Sequence, residues 1–270
     1  MKKLIIYFLL LFLSFSHAQK RELRNANKFY ASGEYSSALD LLESSKVLFD
    51  SSDDKIKSQV MFLYGKIHTT MGDFSLAIKA LNMSKELGIN NELLNPEIRR
   101  LETSIITDAV ADNESGNFSE AAIKLKMVYD LNPEVNQEYL YFAASSAVNS
   151  MNYSLALEYY LILRQINYDG VKTKFFITEV DSGNEIEVSS EAEFNLLQKS
   201  KDYGNAREEL TESRVPEIVK NIALIYKELG DNNKALEAIE TARSSNPDDV
   251  ALITTAANIY YELGDKEGFK

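Results

Sequence analysis

The sequence predicts an all-α chain of stacked helical hairpins forming a right-handed superhelical solenoid, interrupted once by an inserted β-hairpin. Three observations predict this fold: a six-residue phrase recurs along the chain, small residues keep fixed positions within it, and residues 168–215 lack both features. The composition agrees, because only 4 prolines and 11 glycines among 270 residues leave long stretches free to form helices.

Residues 1–18 are typical of a secretory signal peptide. Lys2 and Lys3 precede an apolar run from Leu4 to Phe15, and Ser16 and Ala18 are the small residues that signal peptidase requires. The run of about 12 residues is shorter than the ~20 that a membrane-spanning helix needs. We therefore expect cleavage after Ala18, export to the periplasm or cell envelope, and no transmembrane span in the mature chain.

Cysteine content and charge exclude several classes of protein. The chain has no cysteine, so it has neither disulfides nor the cysteine of a lipobox. Its net charge is −12 and becomes more negative once Lys2 and Lys3 are removed with the signal. Binding to phosphate groups needs clustered cations, so we expect neither nucleic acid nor an anionic lipid surface as a partner.

The recurring phrase marks the start of each repeat. Its copies are Gly33–Ala38, Gly72–Ala77, Gly116–Ala121, Met151–Ala156 and Gly230–Ala235, and Gly264 opens a sixth. Their starts lie 39, 44, 35, 79 and 34 residues apart. The fourth interval corresponds to two repeats, or to one repeat with an insertion of about 45 residues.

These copies resemble tetratricopeptide repeats, which are helix-turn-helix modules of about 34 residues. The best copy runs from Pro216 to Asp249. Its matches to the family pattern are the small residues Ala223, Ala235 and Ala242, the aromatic Tyr226, the turn residue Gly230 and the closing Pro247. The chain also resembles exported tetratricopeptide-repeat proteins of Bacteroidota. The resemblance implies repeats over residues 19–167 and 216–270, with the last repeat incomplete.

The insertion, residues 168–215, has the pattern of a β-hairpin followed by a short helix. Lys174–Val180 and Glu185–Val188 are the predicted strands, joined by a turn at Asp181–Asn184. Ser190 and Glu193 form a capping box that predicts a helix through about Lys199. An isolated hairpin is marginally stable, so we expect its apolar residues to pack on neighbouring helices or on a partner.

The last predicted helix, Val250–Leu263, has Val250, Ile253, Ala256, Ala257 and Tyr260 on one stripe. A solenoid normally ends in a capping repeat with a polar outer face, and none follows this helix. We therefore expect Ile253 and Tyr260 to be partly exposed. This end either recruits a partner or marks a fragment of a longer protein, and the missing cap favours the fragment.

The sequence offers no constellation of catalytic residues. Of its two histidines, His17 belongs to the predicted signal, and His68 occupies a position where the repeat pattern expects a core aromatic. We expect His68 to be a packed or hydrogen-bonded structural residue, because a catalytic base needs partner groups. No ordered set of metal ligands accompanies the paired carboxylates. We predict a protein that is not an enzyme and has no metal or cofactor.

The remaining candidate site is a surface for a protein or peptide partner. The resemblance implies that the first helix of each repeat lines a concave groove, where aromatic rings and amides suit an extended or helical peptide. The candidate groove residues are Asn27, Tyr30, Phe62, Lys66, Asn113, Tyr141, Asn149, Lys220 and Lys227. Leu23 and Leu63 stand where the family's basic clamp for a C-terminal carboxylate has Lys and Asn, so binding of a chaperone tail is not expected.

Three functions are compatible with this pattern. The first is an exported scaffold that holds other proteins in the cell envelope. The second is the ectodomain of a truncated sensor or regulator whose membrane span and output domain follow Lys270. The third is a glycan-binding module, which the missing lipobox cysteine and the absence of tryptophan make less favourable. The fold alone does not name the partner.

Overall fold

The computed structural model describes residues 2–245, 247–248, 250–262 and 264–268. They form two compact units, Met1–Asn136 (unit 1) and Gln137–Lys270 (unit 2). Asp249, Leu263 and Lys270, which bound segments predicted from the sequence, lie outside the described residues. None of the helices in the described ranges is long and apolar enough to cross a membrane.

Unit 1 is a succession of helical hairpins. Its described helices are α1 (Lys2–Ala31), α2 (Tyr35–Ser44), α3 (Lys46–Asp50), α4 (Asp54–Met71), α5 (Phe74–Glu86), α6 (Asn91–Glu114) and α7 (Phe118–Leu131). Three antiparallel pairs account for most packing: α1 with α2, α4 with α5, and α6 with α7. The N-cap residues of α4 and α6 are Asp53 and Asn90, whose side chains accept hydrogen bonds from free backbone N–H groups of the first turn.

Unit 2 continues the hairpins and contains the insertion. Its described elements are α8 (Gln137–Asn149), α9 (Tyr153–Gln165), β1 (Thr173–Glu179), β2 (Glu185–Val188), α10 (Glu191–Leu197), β3 (Tyr203–Leu210), α11 (Val215–Glu228), α12 (Asn232–Ser245) and α13 (Val250–Glu262). The helix α11 packs on α9 as well as on α12, so the helices on either side of the insertion are neighbours within this unit.

The hairpin turns lie at the positions that the recurring phrase predicts. The residues Gly33, Gly72, Gly116, Met151 and Gly230 all have φ between 58° and 82°. Glycine adopts this left-handed conformation without steric cost, whereas the side chain of Met151 makes the same turn strained. The turn prediction is confirmed at all five positions.

The alanine that ends each phrase lies at a helix–helix contact. Ala38, Ala77, Ala121, Ala156 and Ala235 are all 0% exposed. Gly65 marks another close approach, because a Cβ added there would lie 2.4 Å from Leu81 Cδ2 of the paired helix. Small residues at these sites therefore set the distance between the helices of each hairpin.

The insertion is a three-stranded antiparallel sheet with strand order β2-β1-β3. The predicted hairpin of β1 and β2 is confirmed, and so is the helix capped by Ser190, whose Oγ accepts from Glu193 N. Phe194 of that helix packs on Ile177 and Val188, so the apolar face of the hairpin is covered within the insertion. The predicted pattern of a hairpin and a short helix did not include the third strand, β3, in which Glu208 and Glu209 lie.

The buried face of the last helix, α13, differs from the predicted stripe and shares only Ala256 with it. Among the residues of α13 whose side chains are described, Leu252, Ala256 and Ile259 are buried, whereas Val250 is 73% exposed. The i, i+4, i+7 spacing of the buried set follows one helical face and includes the small residue Ala256. Ile253 is 40% exposed and Tyr260 is partly exposed, as predicted.

Candidate partner-binding surface

Three of the nine candidate groove residues form one cluster in unit 1. Tyr30 lies near the end of α1, while Phe62 and Lys66 lie one helical turn apart on α4. The ammonium nitrogen of Lys66 is 4.4 Å from the centroid of the Tyr30 ring and 5.8 Å from that of Phe62. All three side chains are half-buried, and we call them the Tyr30–Phe62–Lys66 cluster.

Arg100 of α6 extends this cluster, although the sequence pattern did not select it. It donates to the backbone oxygen of Lys66 at 3.0 Å and to Thr70 Oγ1 at 3.2 Å. The Glu97 carboxylate accepts two further hydrogen bonds from it, at 2.6 and 2.9 Å. Burial lowers the pKa of Arg100, but the hydrogen bonds and charge of Glu97 outweigh that effect and raise it, so this group is a fixed cation.

The helices α1, α4 and α6 thus share one surface of unit 1, which we call the α1–α4–α6 face. Lys66 joins the first two helices through Tyr30, and Arg100 joins the last two. Among the described residues, Lys66 has no carboxylate within ion-pair distance. An ammonium over aromatic rings and a neighbouring guanidinium can donate hydrogen bonds to carbonyl or carboxylate oxygens of a bound chain, while the rings cover its side chains.

The other candidate residues are dispersed. Asn27 is exposed on α1 and donates to the Leu23 carbonyl at 2.8 Å. Asn113 is half-buried near the end of α6, and Asn149 is exposed at the end of α8. On α11, Lys220 is exposed, and Lys227 forms an ion pair with Glu262 of α13.

Tyr141 is placed inside unit 2 and offers little surface to a partner. It is 5% exposed, and its hydroxyl accepts a hydrogen bond of 2.9 Å from Arg214. Its ring also lies 6.5 Å from that of Tyr160, whose hydroxyl accepts from Asn221 at 2.8 Å. Burial, with the hydrogen bond and charge of Glu217, raises the pKa of Tyr141 to about 12. These contacts join α8, α9 and α11.

His68 is a packed, hydrogen-bonded side chain, as predicted. It is 9% exposed, stacks on Tyr64 with the ring planes 10° apart, and has Nδ1 3.3 Å from an Asp73 carboxylate oxygen. Both rings border a largely apolar cleft of about 340 Å³ between α2, α3, α4 and α5. Burial and the hydrogen bond to Glu43 raise the pKa of Tyr64, which keeps its hydroxyl neutral. The described part of the chain has no group of three or more His, Asp or Glu placed to hold a metal ion.

Comparisons with known proteins give a short sequence match and structural matches of low similarity. The transcription factor tau 131 kDa subunit of Saccharomyces cerevisiae is 39% identical over 61 residues, which is 23% of this chain, and the chain spans only 6% of that protein. A tetratricopeptide repeat protein from Parabacteroides merdae is 15% identical, with a TM-score of 0.35 over 92% of this chain and 75% of that one.

The solved structure of pilF from Pseudomonas aeruginosa is 11% identical, with a TM-score of 0.33 over 95% of this chain and 89% of that one. At these scores the structural likenesses carry no argument about function. A family model described as tetratricopeptide repeat matches residues 221–249, which include the αL turn at Gly230 and the buried Ala235. Residues 221–249 are a tetratricopeptide repeat, and the predicted resemblance of this chain to tetratricopeptide-repeat proteins is confirmed.

Proposed function

We propose that this chain is an exported, non-catalytic scaffold that binds a protein partner on the α1–α4–α6 face of unit 1. The tetratricopeptide-repeat fold supports a protein–protein interaction scaffold, and the export, the non-catalytic role and the binding face are our proposals. We choose this face because of the Tyr30–Phe62–Lys66 cluster, whose aromatic rings and cation are half-buried and remain accessible.

The cluster has the chemistry of a small peptide-binding anchor. Aromatic rings and Arg side chains are enriched at the energetic centres of interfaces, because they bury large areas with few rotatable bonds. The hydrogen bonds of Arg100 to Glu97, Thr70 and the Lys66 carbonyl fix one side of the surface before a partner arrives. A preorganised surface loses less conformational entropy on binding.

Export is supported by the composition of residues 1–18 and by the packing that begins immediately after them. Gln19 is 7% exposed, and its amide nitrogen donates to the Leu48 carbonyl at 3.1 Å. The chain from Gln19 onward thus belongs to the packed part of α1. N-terminal sequencing of protein from the envelope fraction of a Gram-negative host should give Gln19 as the first residue. Protein that keeps residue Met1 and stays in the cytoplasmic fraction would argue against export.

The binding face is tested by selecting peptides from a random library on the purified chain and measuring their affinity for variants. Tyr30→Ala and Lys66→Glu should each weaken the selected peptides about tenfold or more, because central anchor residues each contribute ~2 kcal/mol. Lys85→Glu is the matched control, since Lys85 is an exposed lysine on α5 without a role in the cluster. Selected peptides that bind both cluster variants as tightly as the parent would exclude this face.

A further inference from the structure

The insertion contains an edge strand whose outer backbone is available for pairing. In the order β2-β1-β3, strand β3 has a neighbour on one side only. Its register with β1 is regular from Leu210, opposite Thr173, to Arg207, opposite Phe176. An irregularity follows at Phe176–Thr178, near Asn205, whose φ is 48°. The regular part of β3 therefore covers residues 207–210.

The alternation of an antiparallel ladder identifies the groups that point to the open side. Each residue of the central strand bonds to one neighbour only, and the direction alternates along the chain. Lys172 O accepts from Thr211 N at 2.8 Å, so Lys174 and Phe176, in the same phase, also bond towards β3. Across the β1–β3 ladder, Glu209 faces Lys174 and Arg207 faces Phe176.

Phe175 is in the opposite phase and bonds towards β2, as does Glu179, whose N–H donates to Asn184 O at 2.9 Å. The residues that face Phe175 and Thr173 across the β1–β3 ladder are Glu208 and Leu210. It follows that the backbone N–H and C=O groups of Glu208 and Leu210 point away from β1, towards the open edge.

Part of the usual protection of an edge strand is missing from β3, and the surface there is acidic. Proteins commonly protect an edge strand with lysine or proline, and β3 has neither. Residues 205–210 are all exposed, and α10 packs mainly on β1 and β2. Arg207 is already engaged by Glu185 and Glu209, at 2.8 Å each, whereas Glu208 has no ion pair among the described residues. Residues 168–215 contain eleven Asp or Glu and six Lys or Arg, a net charge of −5.

We propose that the open edge of β3 binds an extended basic segment of a partner protein as a fourth strand of the sheet. The backbone groups of Glu208 and Leu210 pair with the added strand, and lysine or arginine side chains of that strand lie against Glu208 and the acidic surface around it. Strand addition takes affinity from main-chain hydrogen bonds and specificity from alternate side chains. The edge of β3 shares no residue with the α1–α4–α6 face, so this proposal does not depend on that one.

The probe is a labelled synthetic peptide of alternating lysine and valine, as long as β3 (8 residues), added to the full chain. Fluorescence anisotropy should show binding that weakens with salt, because the attraction is partly between exposed charges. Hydrogen exchange should show new protection of the Glu208 and Leu210 amides, while the Arg207 and Glu209 amides, already bonded to β1, change little. A peptide of alternating glutamate and valine should not bind.

Two substitutions at one position separate backbone pairing from charge. Glu208→Pro removes the outward N–H, and it should weaken the lysine–valine peptide about tenfold, equivalent to losing one or two hydrogen bonds. Glu208→Ala keeps the N–H and removes only an exposed charge, so it should cost about twofold to threefold. A peptide that is N-methylated at every residue has no backbone donor on either edge and should fail to bind the parent chain.

Four outcomes would overturn the proposal. They are equal affinity of Glu208→Pro and the parent, protection that maps away from residues 206–210, tight binding of the N-methylated peptide, and a concentration-dependent dimer of the parent that Glu208→Pro abolishes. The last would assign the edge to a second copy of the chain. If Glu208→Pro instead disrupts the β1–β3 ladder, exchange at Glu208 and Leu210 in the parent decides the matter, and unchanged exchange rejects the proposal.

Discussion

Arg214 contacts the Tyr141 side chain in two ways. Its Nη1 donates to the tyrosine hydroxyl at 2.9 Å, and its guanidinium carbon lies 4.4 Å from the ring centroid. The aliphatic part of Arg214 packs on Gly170, where an added Cβ would lie 2.8 Å from Cδ, and its N–H donates to Asp169 O at 2.7 Å. Asp169 and Arg214 are at the two ends of the insertion. The contacts of Arg214 with Asp169 and with Tyr141 therefore connect both ends to α8.

Replacing Arg214 should destabilise unit 2 by about 1–2 kcal/mol, since a cation–π contact and a charged hydrogen bond are lost from a partly buried site. Urea unfolding of Arg214→Ala measures the change. Lys174→Ala is the control and should stay within about 0.5 kcal/mol, because Lys174 and Glu187 form an exposed ion pair at 3.2 Å. Equal stability of Arg214→Ala and the parent would show that the insertion is held by other contacts.

The stability of unit 2 should fall in alkaline solution. Burial, then the hydrogen bond and charge of Glu217, raise the pKa of Tyr141 to about 12, against about 10 in an unfolded chain. Between these values the folded state keeps a proton that the unfolded state loses. The contribution is thus complete below pH ~10 and is lost as the pH rises through about 12.

Urea unfolding across this pH range, with tyrosinate absorbance followed in parallel, tests the alkaline prediction. In Tyr141→Phe the free energy of unfolding should fall less steeply with pH, and one tyrosine fewer should titrate at high pH. A decline that is the same in Tyr141→Phe and the parent would exclude Tyr141 as its source. Tyr160, Tyr168 and Tyr260, whose pKa values are also raised by burial, should contribute to what remains.

Met151→Gly should stabilise unit 2 by about 1 kcal/mol. Met151 has φ of 58°, which costs a residue with a Cβ ~1–2 kcal/mol, and its side chain is 75% exposed, so little packing is lost. The greater freedom of glycine in the unfolded chain offsets part of the gain. A thermal melt measures the effect, and Gly230→Ala should shift it in the opposite direction. A lower melting temperature for Met151→Gly would mean that its side chain stabilises the turn.

The turns and the close helix contacts could be predicted because each depends on the sterics of one residue. The positive φ at position 72 favours glycine, and the buried helix contact at position 235 favours alanine. Because each position favours one residue type, the spacing of these residues in the sequence reveals the repeat. Even the exceptional turn at Met151 could be located from its place in the phrase. Such local requirements identify the hairpins without knowledge of what they pack against.

Strand β3 and the contact of Arg100 with Lys66 depend on residues far apart in the chain, so local sequence patterns did not predict them. Strand β3 has no alternation of apolar residues, and its pairing is decided by β1, more than 20 residues earlier in the chain. Arg100 was missed because the position in the repeat, counted back from Gly116, selects Asn113, whereas the extra length of α6 brings its first half beside Lys66. The 34-residue separation of Lys66 and Arg100 is a repeat-length signal that could have indicated their contact.

Ala235→Leu should destabilise unit 2 by about 1–3 kcal/mol, because the added carbons have no space between α11 and α12. Leu229→Ala, at the residue that directly follows α11 and is 46% exposed in the parent, is a control for a general loss or gain of apolar volume. A melt of Ala235→Leu within a degree of the parent would place Ala235 outside the helix interface.

Gly65 and Leu81 should show a strong energetic coupling. An alanine Cβ at position 65 would lie 2.4 Å from Leu81 Cδ2 and 2.6 Å from Cγ, so Leu81, which is 2% exposed, must move or the helices must separate. Gly65→Ala gains about 1 kcal/mol of helix propensity, but overpacking costs ~1–3 kcal/mol, so we expect net destabilisation.

Leu81→Ala alone removes buried volume and should cost about 2–5 kcal/mol. In the double variant the new methyl group enters the space that Leu81 vacates, so the steric cost disappears and part of the cavity is filled. The double variant should therefore be less destabilised than the sum of the single changes by about 1–3 kcal/mol, as expected for residues in direct contact. Urea unfolding of all four proteins gives this coupling. Additive effects within experimental error would show that α4 and α5 adjust their separation freely and that Gly65 does not set it.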